Sequence, residues 1–196
     1  MVSRRESTNQ LRPGFSLIEI VIVLVVMAII MRMAIPKLNT SQFRVDAGAQ
    51  QVRSVFQTAQ RTSLTRQYDV IVSIDTTSFG LRIAEDANND GIIQASEWKF
   101  WRSAGDGNRF VAPPITLSGA TGTSPVIGSA LKAVDGFPSV TFHRDGSTSS
   151  DAEIYLQNTY KGRVDYRCIT VTRSTGRTEL WRLAGTGSSA VWQVVR

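Results

Sequence analysis

Asp86, Asn88, Asp90, Gly91 and Glu97 carry the most specific spacing of chemically capable side chains in this sequence. The segment Asp86-Ala87-Asn88-Asn89-Asp90-Gly91-Ile92-Ile93-Gln94-Ala95-Ser96-Glu97 fits the calcium-loop pattern D-x-[DN]-x-[DN]-G-x5-E at every fixed position. Ca²⁺ is a hard cation and takes an oxygen-only shell. Asp86, Asn88 and Asp90 would supply side-chain oxygens, Ile92 its carbonyl, and Glu97 both oxygens of its carboxylate, with Gly91 allowing the sharp turn. The flanks read as strands, not as the paired helices of an EF-hand, so a solvated Asn-Asp-Gly hairpin without metal is the competing reading. A bound ion would order the loop for a protein contact rather than take part in catalysis.

Glu19 is the second group that calls for explanation. Between Phe15 and Ile35 only Glu19 and Arg32 are charged. As a helix this stretch spans about 31 Å, close to the ~30 Å of a bilayer's hydrocarbon, so it reads as a transmembrane segment over residues 15–35. Arg4, Arg5 and Arg12 ahead of it favour a cytoplasmic start, which would carry the rest of the chain across the membrane. A carboxylate inside such a span costs on the order of 3 kcal/mol and needs a partner. No Lys or Arg follows it closely. A local hydrogen bond to Ser16 is the bland alternative.

Enzymatic chemistry finds little support. His143 is the only histidine and Cys168 the only cysteine. No phosphate-cradling Gly-rich loop ends in Lys-Ser/Thr, no Cys/His cluster suits zinc, and nothing singles out a Ser-His-Asp set. One cysteine forms no internal disulfide, and its alternating strand context reads as a small buried hydrophobe. The net charge of +6 comes without a run of Lys or Arg, so it permits nucleic acid without demanding it.

The elements that must position these groups follow from periodicity. Pro36 lacks an amide donor and should loosen the helix. Beyond it Val45, Val52, Val55, Phe56 and Ala59 recur at helical steps, an amphipathic continuation over residues 36–67. From Tyr68 the period falls to two, with strands at 68–74, 79–83, 98–101, 139–142, 153–156, 167–172 and 178–183. The Gly/Ser/Thr/Pro-rich stretch 112–138 reads as a long loop. The expected fold is α+β: one long N-terminal helix, transmembrane then amphipathic, packed on an antiparallel β-sheet head over residues 68–196.

Gly14-Phe15-Ser16-Leu17-Ile18-Glu19, the apolar run, and Ala34-Ile35-Pro36 together resemble the class III signal of type IV pilins and type II secretion pseudopilins. That resemblance implies cleavage between Gly14 and Phe15 by the prepilin peptidase, removing a leader of residues 1–14, with N-methylation of the new Phe15 amine. It implies that the Glu19 carboxylate faces the amine terminus of a neighbouring subunit during assembly. Val140 to Ser147, a following strand, and Cys168 to Arg177 with its Thr175-Gly176-Arg177 turn resemble the H-type pseudopilins and related minor pilins. The implied function is a minor pseudopilin of the type II secretion pseudopilus. Its partners would be other pilins or pseudopilins and the inner-membrane assembly platform. The implied location is the bacterial inner membrane, single-pass, with leader cytoplasmic and head periplasmic. The alternative within the same resemblance is a minor type IV pilin that primes assembly or joins in DNA uptake, where Arg177 and Arg182 would meet nucleic acid. Apart from Ca²⁺ in the acidic loop, no cofactor is implied.

Overall fold

Val45, Ala49, Val52, Phe56 and Ala59 are spaced by three and four residues, and all five are buried on one face of a single helix. The computed structural model describes residues 14–34, 40–97, 99–185 and 187–195. Residues 1–13 and 35–39, Trp98, Thr186 and Arg196 lie outside them, and with them most of the expected leader. The chain divides into two compact units, Met1–Asn39 and Thr40–Arg196.

The first unit holds helix α1 (Leu17–Ala34), 18 residues long. At 1.5 Å per residue it measures about 27 Å. Its uncharged part, from Ile20 to Met31, covers only about 18 Å between Glu19 and Arg32. Among the described residues no helix is long and apolar enough to cross a membrane. The expected transmembrane helix over residues 15–35, and the single-pass inner-membrane placement built on it, are therefore corrected. The helix is shorter than the apolar stretch suggested, and a charge sits near each end.

The second unit opens with α2 (Thr40–Arg66), whose apolar face covers strands of two sheets. The first sheet contains β1 (Asp69–Asp75), β2 (Gly80–Asp86), β3 (Lys99–Ser103), β6 (Lys132–Val134) and β7 (Phe137–Phe142), in the order β3-β2-β1-β7-β6. The second contains β4 (Asn108–Phe110), β8 (Ala152–Tyr160), β9 (Arg163–Val171), β10 (Thr178–Ala184) and β11 (Val191–Val194), in the order β11-β10-β9-β8-β4. β5 (Val126–Gly128) also pairs with β8. Every pairing is antiparallel. Alternation fixes the inward face: Val70, Val72 and Ile74 on β1, Leu81 and Ile83 on β2, Val140 and Phe142 on β7, Ile154 and Leu156 on β8, Ile169 and Val171 on β9.

The expected fold is thus corrected. Among the described residues there are two helices in place of one long helix on one sheet, and the head is two antiparallel sheets with eleven strands in all. The sheet splits where β7 ends at Phe142: the turn through Gly146 (φ +84°) redirects the chain, and the next long strand, β8, founds the second sheet. The stretch 112–138 is not one loop either, because it carries β5, β6 and the start of β7.

Two contacts of α2 set its seat. Gly48 presses on the chain between β3 and β4, where a Cβ would lie 2.0 Å from Asn108 Nδ2 and 2.4 Å from the Ala104 carbonyl. Asn108 Nδ2 donates to the carbonyls of Ala104 and Arg44, while Asn158 Nδ2 donates to Asn108 Oδ1 at 2.9 Å. Lower on the helix, Gln60 Nε2 donates to the carbonyls of Gly146 (3.0 Å) and Thr175 (2.7 Å). One amide thereby clamps the two turns whose Gly146 and Gly176 stand out in the sequence.

Candidate functional site

Ser16 starts α1. The Glu19 amide donates to Ser16 Oγ at 3.3 Å and to the Ser16 carbonyl at 3.1 Å, and the Ile20 amide donates to the same carbonyl. Ser16 is an N-cap with Glu19 at the third helical position, the Ser-x-x-Glu arrangement that opens many helices. Sequence reasoning weighed only a bond between Ser16 and the Glu19 side chain, although the spacing itself signalled a cap. It is the Glu19 amide that binds Ser16; its carboxylate has no ion-pair or hydrogen-bond partner among the described residues. Glu19 lies in the first turn of α1, the end of a helix where acidic side chains are commonly placed.

Around this end the side chains are apolar and exposed. Phe15 is 80% exposed, Leu17 82%, and Val21, Leu24, Val25, Ile29 and Met31 are all exposed although they point in different directions around the helix. Gly14, on the far side of the proposed cut, is exposed as well. A helix apolar on every side belongs inside something.

The acidic loop follows β2. Asp86, wholly buried, takes the amides of Asp90 (3.1 Å) and Gly91 (2.7 Å) on its two carboxylate oxygens. Asn88 Oδ1 accepts from the Asp90 amide, and Asn88 Nδ2 donates to Asp90 Oδ2. Glu97 closes the loop by accepting from the amides of Ala87 (3.1 Å) and Gln94 (2.8 Å). Gly91 has φ +76°, the conformation that the glycine of a calcium loop adopts to turn sharply. The hydrogen bond from the Ile92 amide, with those from Asn88 and Gln94, holds the Asp90 carboxyl below its ordinary range. Asp86, Asn88, Asp90, Ile92 and Glu97 therefore share one closed loop. Among the described residues, however, no three His, Cys, Asp or Glu side chains converge closely enough to hold an ion, so an ion would have to draw the loop tighter.

His143 Nδ1 lies 2.8 Å from Asp69 Oδ2, at the side of a cleft of about 860 Å³ that the acidic loop also borders. The sequence did not mark Asp69, which reaches His143 only because β1 and β7 are neighbours. The Ser147 hydroxyl, in the same cleft, donates to Asp145 Oδ1 at 2.6 Å. Cys168 is buried, and that burial pushes its thiol well up, in keeping with a packing role.

The two candidate nucleic-acid residues stand at different places on the chain. Arg177 pairs with Glu179 at 3.0 Å in the turn before β10. Arg182 stands five residues further along, about 17 Å for extended chain.

Set beside known proteins, this chain matches no protein family, no curated protein and no solved structure.

Proposed function

We propose that this chain is a subunit of a pilin-like filament, of the minor pseudopilin kind that residues 140–147 and 168–177 resemble, and that α1 is its assembly element. The observation that carries the reading is the pairing of a helix exposed and apolar on all sides with an unpartnered carboxylate in its first turn. Apolar surface of that extent is stably covered by similar helices of neighbouring subunits. Inside such a bundle the dielectric falls, and a carboxylate there is costly unless a cation meets it. The amine created by a cut between Gly14 and Phe15 has the right charge and lies next to the same helix end. Glu19 then works as a register mark, because a neighbour displaced along the bundle leaves both charges buried and unpaired.

The test is Glu19→Gln in cells that make the filament. The cut after Gly14 should persist and the head should melt at the same temperature, while incorporation into filaments falls at least tenfold, as expected for a lost buried charge pair. Undiminished incorporation overturns the reading. The same experiment in strains making only a secretion pseudopilus or only a type IV pilus separates this reading from the minor-pilin alternative.

The acidic loop supports a narrower second reading, in which it takes Ca²⁺ and becomes ordered for a subunit contact. The favouring observation is that Asp86 and Glu97, the first and last ligand positions, are already turned onto one loop around a glycine with positive φ. Titration of the chain with millimolar Ca²⁺ should release heat and raise the melting temperature by a few degrees, an effect absent in Glu97→Gln. No heat at that concentration ends the reading.

A further inference from the structure

The ladder between β9 and β10 stops early. It runs from Val171 opposite Thr178 to Arg167 opposite Arg182. Past that pair, β9 is held through Tyr166 to Arg163 by β8 alone, while β10 goes on through Leu183 and Ala184 against β11 alone. The sheet forks. A cleft of about 700 Å³ occupies the fork, lined by residues 162–166 of one prong and 182–185 of the other, with Gln42 of α2, Pro114, Gly187 and Ala190 closing it.

The chemistry of this cleft is specific. Arg163 and Arg182 are exposed and form no ion pair among the described residues. Asp165, on the same prong, is engaged with a partner of its own. Tyr166 is partly buried, and burial raises its phenol above the ordinary value, so it keeps its proton and can donate. Val164, Leu183 and Ala184 add apolar wall beside these groups, and Gln42 of α2 adds a polar one. Arg182 also stands directly across from Arg167, which is fully buried, and like charges facing each other across a ladder repel. One carboxylate answers Arg167: Asp46 Oδ1 lies 2.5 Å from its Nε, and Nη1 donates to the Tyr166 carbonyl, but Nη2 is buried with no hydrogen-bond partner. Of the two guanidinium groups at the root of the fork, only Arg167 has an ion-pair partner among the described residues.

We propose that the β9–β10 fork binds an extended peptide segment bearing an acidic side chain. Its backbone adds to the open strand edges of the prongs, and its carboxylate meets Arg182 and Arg163, relieving the repulsion at the root. Main-chain pairing supplies affinity and the side-chain contact supplies selectivity, as in other strand-addition sites. A nucleic acid strand fits less well, because it needs a continuous cationic track and stacking aromatics, whereas here two guanidinium groups sit among aliphatic walls. The site is independent of the filament reading: a chain that never assembled would bind the same peptide.

The test uses the full chain and the probe peptide acetyl-Val-Glu-Val-Thr-amide, followed by hydrogen-exchange mass spectrometry and binding titration. Saturating peptide should slow exchange in segments 163–167 and 182–185 and leave α2 unchanged. The Gln counterpart of the peptide should bind about tenfold more weakly, in line with one lost charge-assisted contact. A version N-methylated at the central amides should bind far more weakly still, since it cannot pair. Arg182→Gln, with unchanged circular dichroism, should erase most of the Glu-over-Gln preference. Protection elsewhere, or none at millimolar peptide, overturns the proposal. So does equal binding of the Glu and Gln peptides, or of the N-methylated one. Salt-dependent protection of the same segments by a short single-stranded oligonucleotide, without any by peptide, would replace it with a phosphate site.

Discussion

α1 and α2 are two answers to the same problem of where a helix puts its apolar side chains. α2 confines them to a stripe, and that stripe is buried within its own unit: Val45, Val52 and Phe56 are fully covered. α1 spreads them around the whole cylinder, and they stay exposed, Leu24 at 61% and Met31 at 60%. The polar face of α2 lets it end in water, while α1 has no such face. The same residue types therefore stabilise the fold in one helix and stay exposed in the other. Burial separates the two cases; composition does not.

The sharpest break of this comparison is truncation at matched positions. Phe56→Ala removes a ring packed at 6.1 Å from Phe142 in the core, and should cost the head about 3–5 kcal/mol in chemical denaturation. Val25→Ala in α1 should change that same stability by less than about 0.5 kcal/mol, because its side chain is half exposed. Equal costs would show that α1 is part of the folded head and not an assembly element.

A second prediction concerns acid. Burial opposes ionisation of Asp75, but the Thr77 and Ser78 amides and the Arg82 guanidinium, 2.7 Å away, outweigh it and hold the carboxyl at about 2. A group whose folded value is depressed stabilises the fold above its unfolded value, near 4, and that contribution is lost as pH falls toward about 2. Asp75→Asn should remove about 2 kcal/mol at neutral pH and flatten the fall in melting temperature between about pH 4 and pH 2. Filament formation through α1 should not follow the same curve, since Asp75 belongs to the head.

The smallest of the three effects is at Gln60. Gln60→Ala leaves the Gly146 and Thr175 carbonyls without their donor and should cost about 1–2 kcal/mol, with faster hydrogen exchange in both turns and none of the change in α1.

Much of the head was legible in the sequence. The stripe on α2, the period-two strands and the punctuating glycines mark local events, and the chain obeys them. The pairing of those strands into two sheets was not legible, because register is settled by which faces meet, and no single segment carries that information. The length of α1 was misread for a different reason: hydropathy counts apolar residues, while the helix starts only after its cap, Ser16, and carries a charge near each end. In the candidate sites, the acidic loop could be read because its polar residues all lie within one twelve-residue stretch. Asp69 beside His143, Asp46 beside Arg167 and the fork at Arg182 could not, since each depends on residues far apart in the chain that the fold brings together.

The double reach of Gln60 has a consequence for how this head can vary. Because one side chain holds both turns, the loop after β7 and the loop after β9 are geared together, and a residue inserted into either one pulls on the other through the helix. The close approach of Gly176, where a Cβ would come within 2.4 Å of the Gly146 carbonyl, tightens the gearing. Chains built on this plan should change the lengths of these two turns in step, while the open end at β9 and β10 is free to drift with whatever it binds.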